Sequence, residues 1–232
     1  MHPLIEVCVE SGEAANIAFQ AGADRLELNA ELRLDGLTPP ANLCALVKRD
    51  CAVPLIAMVR PHAQDFLYDS DARQQIWLDL EDMLAADVDG IAFGALTVSN
   101  TIDTALLARI RARCSNVELV MHRAFDLVVD QQQGLRELID LGVDRVLTSG
   151  NGPTAEAGVS RLQNLVAWSQ GQIEILPGGG VRIENAQHIL NVTGCTQLHG
   201  TFKQFDHHRN LPDPRIIARL KELLTSDKTP RT

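Results

Sequence analysis

Short apolar runs alternate along the whole chain with segments in which apolar residues recur every three to four positions. The first pattern predicts buried strands and the second predicts amphipathic helices. Strands are predicted at 4–9, 24–29, 54–60, 90–93, 117–122, 145–149, 173–177 and 197–199. Between them lie helical stripes. The first runs from Gly12 to Ala21 behind Ser11 as N-cap, and the next carries Leu43, Leu46 and Val47. Then come Ile76, Leu80, Met83 and Leu84; Leu107 and Ile110; Leu135, Leu138 and Ile139; and Leu162, Leu165 and Val166. Ile183, Ala186 and Leu190 form the seventh stripe, and Ile216, Leu220, Leu223 and Leu224 form the last. Strict strand–helix alternation argues for a parallel sheet, either open and doubly wound or closed. Eight units favour closure into a (β/α)8 TIM barrel. So does a repeat four units apart, in which Ala21-Gly22-Ala23-Asp24-Arg25-Leu26 returns as Leu141-Gly142-Val143-Asp144-Arg145-Val146. The reading is one barrel domain over 1–225 and a polar tail over 226–232.

Composition narrows the function. The chain has 232 residues and a formal net charge of −9, with no basic run, which argues against nucleic acid as a partner. No apolar stretch approaches the ~20 residues that cross a bilayer, so no membrane partner is expected. Met1-His2-Pro3 leads directly into a strand without a cationic leader, and the expected location is cytoplasmic. Five cysteines with no CxxC spacing read as reduced, mostly buried thiols.

Alternation within the strands then places unexpected chemistry inside the barrel. If Ile5, Val7 and Val9 face the helices, Glu6 and Cys8 face inward. By the same parity Arg25, Glu27, Asn29, Ile56, Met58, Arg60, Glu118, Val120, His122 and His199 point inside. Arg25 and Glu118 lie early in their strands, where buried ion pairs are a sufficient explanation. Glu27, Arg60, His122 and His199 lie at C-terminal strand ends, where barrels of this class keep their sites. The loop from Arg60-Pro61-His62 to Tyr68 is long enough for a lid or a subunit contact. His122-Arg123-Ala124-Phe125-Asp126 adds a cation and a carboxylate to the same face. Gly178, Gly179 and Gly180, with Gly200 opposite, offer backbone donors to an anion or phosphate. None of the four lysines ends a strand run, which argues against Schiff-base chemistry. No HExxH, GxSxG or GxGxxG occurs, and no CxxC or MxxC offers a compact copper grip.

Taken in order, LIEVCVES, GADRLELNAELRLDGLTPP, VRPHAQDFLY, MHRAFD, VLTSG, PGGGVRIENA and QLHGT resemble the CutC family over Leu4 to Thr201. The resemblance implies a (β/α)8 barrel, a cytoplasmic location, homo-oligomeric assembly (a dimer is favoured) and a link to copper homeostasis. It implies copper as the metal, but brings no reaction with it. Asn29 stands where the family commonly has cysteine, His62 where it often has arginine, and Leu67 where it has a further cysteine. The expected metal donors are therefore Cys8, His122 and His199, with Met58 on the same inward face. The rival reading is an enzyme acting on a small anionic or phosphorylated metabolite. In it Arg60 and the glycine turn hold the anion, Glu27 and His122 act as acid and base, and Glu6 and Asp126 complete the catalytic candidates. A third reading is a non-catalytic barrel that works through an oligomeric surface.

Overall fold

A computed structural model describes residues 2–203 and 211–226. The strands are β1 (Leu4–Val9), β2 (Arg25–Leu28), β3 (Leu55–Met58), β4 (Gly90–Phe93), β5 (Glu118–Met121), β6 (Arg145–Thr148), β7 (Glu174–Pro177) and β8 (Gln197–Gly200). The helices are α1 (Gly12–Gln20), α2 (Ala41–Asp50), α3 (Ser70–Ala85), α4 (Thr104–Arg113), α5 (Gln131–Asp140), α6 (Val159–Ser169), α7 (Ile183–Thr193) and α8 (Pro214–Ser226). This is a (β/α)8 TIM barrel. The β1 and β4 bounds match the sequence reading, and the other strands differ by one or two residues at an end. Ser226, the first residue of the expected tail, is the last residue of α8, and residues 227–232 lie outside the described part.

All strand pairs are parallel, in the order β7-β6-β5-β4-β3-β2-β1-β8. The ladder therefore runs around the barrel and stops between β7 and β8. Side chains bridge that seam, where Gln197 Nε2 donates to Glu174 Oε2 at 2.9 Å.

The repeat seen in the sequence has a mechanical cause, and it recurs once more. Asp24, Asp89 and Asp144 each precede an even-numbered strand, and each carboxylate accepts the N–H of a residue at the start of the strand before it. The acceptances are Ile5 N to Asp24, Leu55 N to Asp89 and Leu119 N to Asp144, all at 2.7 Å. Lys221, Lys48 and Arg111 neutralise the three aspartates in turn. Otherwise unpaired strand-start donors at the barrel floor are satisfied this way.

The outer core lies between strands and helices, as parity predicted, with Ile5, Val7, Val9, Leu26 and Leu28 all buried there. In α2, Val47 is buried and Leu43 packs against the core as expected, while Leu46 lies on the exposed side and Cys44 takes the buried place. The interior of the barrel is divided. Ile56, Met58, Ala92, Val120, Leu147 and Leu176, from β3 to β7, pack as one apolar cluster. The remaining arc, β8, β1 and β2, fills its side of the interior with Gln197, His199, Glu6, Cys8, Arg25 and Glu27, all buried. The polar half demands partners, and those partners build the site.

Candidate functional site

The polar arc is a chain of contacts running from floor to mouth. Near the floor, Arg145 bridges Glu118 and Glu174, each at 3.0 Å, and Gln197 joins Glu174 to Arg25. Arg25 is ion-paired with Glu6. The second Glu6 oxygen accepts from His199 Nδ1 at 2.7 Å, which leaves His199 Nε2 4.0 Å from Glu27 Oε2. Burial alone would raise the Glu6 carboxyl. The His199 hydrogen bond and the Arg25 charge outweigh it and hold the group at about 2. For His199 burial disfavours the charged ring, but Glu27 and Glu6 on either side raise its pKa above the ordinary histidine value. Glu6 was expected to line the mouth. It sits one layer below, buttressing His199, because two residues along β1 separate it from Cys8 by about 6–7 Å of rise.

Cys8, Glu27 and His199 converge. Their donor atoms all lie within 4.8 Å of one another, the one group of this kind among the described residues. The Cys8 thiol donates to Glu27 Oε2 at 3.4 Å, and Asn29 Nδ2 donates to both Glu27 (2.8 Å) and the Cys8 sulfur (3.3 Å). Burial and then the Glu27 charge push the Cys8 thiol well above its usual range, so it is protonated at neutral pH. The sequence reading put His122 in this set and Glu27 outside it; the structure does the reverse. His122 directly follows β5, across the barrel from β1 and β8. Its Nδ1 is also occupied, accepting the Ala124 N–H at 3.2 Å as cap of the short 3-10 helix Arg123–Leu127.

That hydrogen bond fixes the tautomer, because the accepting Nδ1 carries no proton and Nε2 must. Burial, reinforced by Arg60, lowers the His122 pKa to about 3, so the ring is neutral at physiological pH. Its Nε2–H is buried without a partner. His122 is thus a hydrogen-bond donor, and the acid–base role expected of it would require a change of tautomer. Phe66, from the loop after β3, lies 5.0 Å from the His122 ring and 4.9 Å from the Arg60 guanidinium. Arg60 Nη1 donates to the Leu34 and Gly36 carbonyls at 2.9 and 3.0 Å, and its Nε is buried without a partner. Neither Phe66 nor Gly94 stood out in the sequence. A Cβ at Gly94 would lie 2.6 Å from His122 Cε1, so this glycine makes room for the ring. Gly94→Ala should displace His122 and destabilise the fold by about 1–3 kcal/mol, measurable by denaturant melts together with the shifted imidazole resonances.

Asp126 has a supporting role. Its carboxylate accepts from Thr148 Oγ1, from the Ser149 N–H and hydroxyl, and from Arg123 Nε at 3.0 Å. Those bonds tie the ends of β5 and β6 together and leave little capacity for catalysis. The glycine turn is divided in its use. Gly178 N–H donates to the Thr148 carbonyl at 3.0 Å and is unavailable to an anion, contrary to expectation. A Cβ there would meet Leu147 at 2.5 Å and His199 at 3.2 Å, so Gly178 serves packing. Gly179 and Gly180, at φ of +92° and +71°, line the mouth beside Gly200, and their N–H groups donate to no described residue.

The mouth these groups surround is a cavity of about 970 Å³, large enough for a small metabolite. Cys8, Glu27, Asn29 and His199 lie on one part of its wall; Arg60, Phe66, His122 and Asp126 also line it.

Fold and site together define a (β/α)8 barrel with a polar mouth at the C-terminal strand ends, and the barrel itself is shared well beyond close relatives. A thiamine phosphate pyrophosphorylase from Pyrococcus furiosus superposes over 98% of this chain and 97% of its own with a TM-score of 0.65, at 14% identity, a likeness of fold alone. The particular family is narrower: the CutC family profile matches residues 3–204, and the chain belongs to that family. A CutC family protein of Treponema denticola is 42% identical over 195 residues, covering 84% of this chain and 79% of its own length. The human copper homeostasis protein cutC homolog is 38% identical over 196 residues, covering 84% and 72%. The crystal structure of a CutC protein from Streptococcus agalactiae superposes with a TM-score of 0.82 at 30% identity, over 86% of this chain and 98% of that one.

Proposed function

We propose that the protein serves in copper homeostasis as a cytoplasmic, homo-oligomeric CutC protein and takes a copper ion at Cys8, Glu27 and His199. The observation that carries the reading is the convergence of those three donor atoms within 4.8 Å at the mouth. The fit is favourable at His199. With Nδ1 held by Glu6, Nε2 faces the cluster, the carboxylate–histidine arrangement that orients metal-bound imidazoles. It is weaker for Cu(I) at the sulfur side, where Cys8 is the one thiol and Asn29 occupies the place of a second. One thiolate, one carboxylate and one imidazole give a site of modest affinity. Among the described residues no helix is long and apolar enough to cross a membrane.

Binding must expel the Cys8 proton and any proton on His199 Nε2, so at least one proton should leave per ion and affinity should rise with pH. Anaerobic competition titrations against a Cu(I) chelator, with proton release followed in weak buffer, test this in wild type, Cys8→Ser and Asn29→Cys. Cys8→Ser should weaken binding by tenfold or more, about 1.4 kcal/mol, and Asn29→Cys should tighten it. Binding undiminished in Cys8→Ser places the ion elsewhere, and no binding in any variant removes the copper reading.

A further inference from the structure

Arg60 presents a separate problem. The residue is buried, at 5% exposed, yet among the described residues no carboxylate lies within ion-pairing distance. A buried guanidinium without a counter-charge is costly, and a bound anion would offset that cost. The available edge is well defined. Nη1 is spent on the Leu34 and Gly36 carbonyls, Nε has no partner, and Nη2 donates to no described residue. Phe66 covers one face of the guanidinium. What remains is the Nε/Nη2 edge, two parallel donors whose spacing matches the two oxygens of a carboxylate. Against the same Phe66 ring stands His122 with an unpartnered, buried Nε2–H. Both residues line the mouth cavity.

We propose that the mouth binds a small organic acid, its carboxylate on the Nε/Nη2 edge of Arg60 and an oxygen on its second carbon accepting from His122 Nε2–H. The ligand class is a 2-hydroxy or 2-oxo carboxylate. The site does not rest on the copper reading, because Arg60 and His122 stand apart from Cys8, Glu27 and His199. A phosphate would be served less well: a tetrahedral dianion asks for more donors than one guanidinium edge and one imidazole, and a neutral imidazole adds no second positive charge.

The test uses the full chain, ¹⁵N-labelled at histidine, arginine and glycine and freed of metal with a chelator. It is titrated at constant ionic strength with sodium glycolate, acetate, phosphate and chloride. Glycolate should move the His122 Nε2–H and Arg60 Nε–H resonances saturably. Acetate should bind about fivefold more weakly, the worth of one neutral hydrogen bond. Arg60→Lys, which keeps the charge and loses the planar edge, should weaken glycolate by about tenfold or more. Equal responses to glycolate and chloride would overturn the proposal, as would phosphate binding more tightly than glycolate. Shifts confined to the Gly179 and Gly180 amides would do the same, and so would binding that needs metal restored, since the carboxylate would then sit on the ion. Should Arg60→Lys fail to fold, the wild-type series of four anions decides alone.

Discussion

Glu6→Gln should cost the barrel about 3–5 kcal/mol, a large share of the stability of a single domain. Glu6 is buried beneath the mouth and answers two donors at once, the Arg25 guanidinium on one oxygen and the His199 ring on the other. Glutamine keeps the shape but supplies no negative charge, so Arg25 is left with the Gln197 amide as its remaining side-chain partner. His199 should respond as well: with one of its two flanking carboxylates gone, its pKa should fall toward or below the ordinary value. Equilibrium urea unfolding at pH 7 measures the first effect, and an NMR titration of His199 measures the second. Adding Arg25→Met to Glu6→Gln should recover part of the lost stability, because the unpaired guanidinium is gone while a glutamine at position 6 still accepts from His199 Nδ1. A loss below about 1 kcal/mol in Glu6→Gln would mean that water reaches the pair.

Acid should destabilise the protein through His122 well before the carboxylates protonate. The unfolded ring titrates near 6.5 and the folded one at about 3, so between those values the unfolded chain binds the extra proton. Stability therefore rises with pH across this window. The His122 contribution is complete above about 6.5 and is lost as pH falls toward 3, with an upper bound of about 5 kcal/mol. His199 has the opposite sign. Its folded pKa is raised, so its contribution is present below about 6.5 and is lost as pH climbs through the folded value. The two histidines together confine maximal stability to near neutrality. His122→Gln should flatten the slope between pH 6.5 and 3 and leave the alkaline side unchanged. Melts across that range check it, and an unchanged acid slope would show that the native ring protonates in place.

Much of the architecture was legible because a strand's period of two is a hard geometric rule. Once Ile5, Val7 and Val9 were assigned to the helices, Glu6 and Cys8 had to point inward, and they do. Parity gives the face but not the depth. It could not separate Glu6, which serves as a strut, from Cys8, which reaches the cavity. Nor could it show which way an imidazole turns. The backbone N–H of Ala124 fixes the His122 tautomer, and the placement of β5 opposite β1 and β8 removes that ring from the Cys8 cluster. Glycine was misread for a related reason. The run Gly178 to Gly180 reads uniformly as a string of donors, whereas Thr148 on β6 has already taken the first. The Asp24 repeat was visible, but its purpose depends on a strand nineteen residues earlier in the chain.

The interruption between β7 and β8 gives the molecule a mechanical asymmetry. A fully hydrogen-bonded cylinder resists widening equally around its circumference; this one is a rolled strip whose two free edges meet beside the mouth. The edges carry the glycine turn after β7 and His199 on β8, so both lie where the backbone ladder is interrupted. Spreading them breaks side-chain contacts such as Gln197 with Glu174 and leaves every ladder intact. A widening of the mouth would meet least backbone resistance along that line, on the side of the wall opposite the continuous part that carries Arg60 and His122.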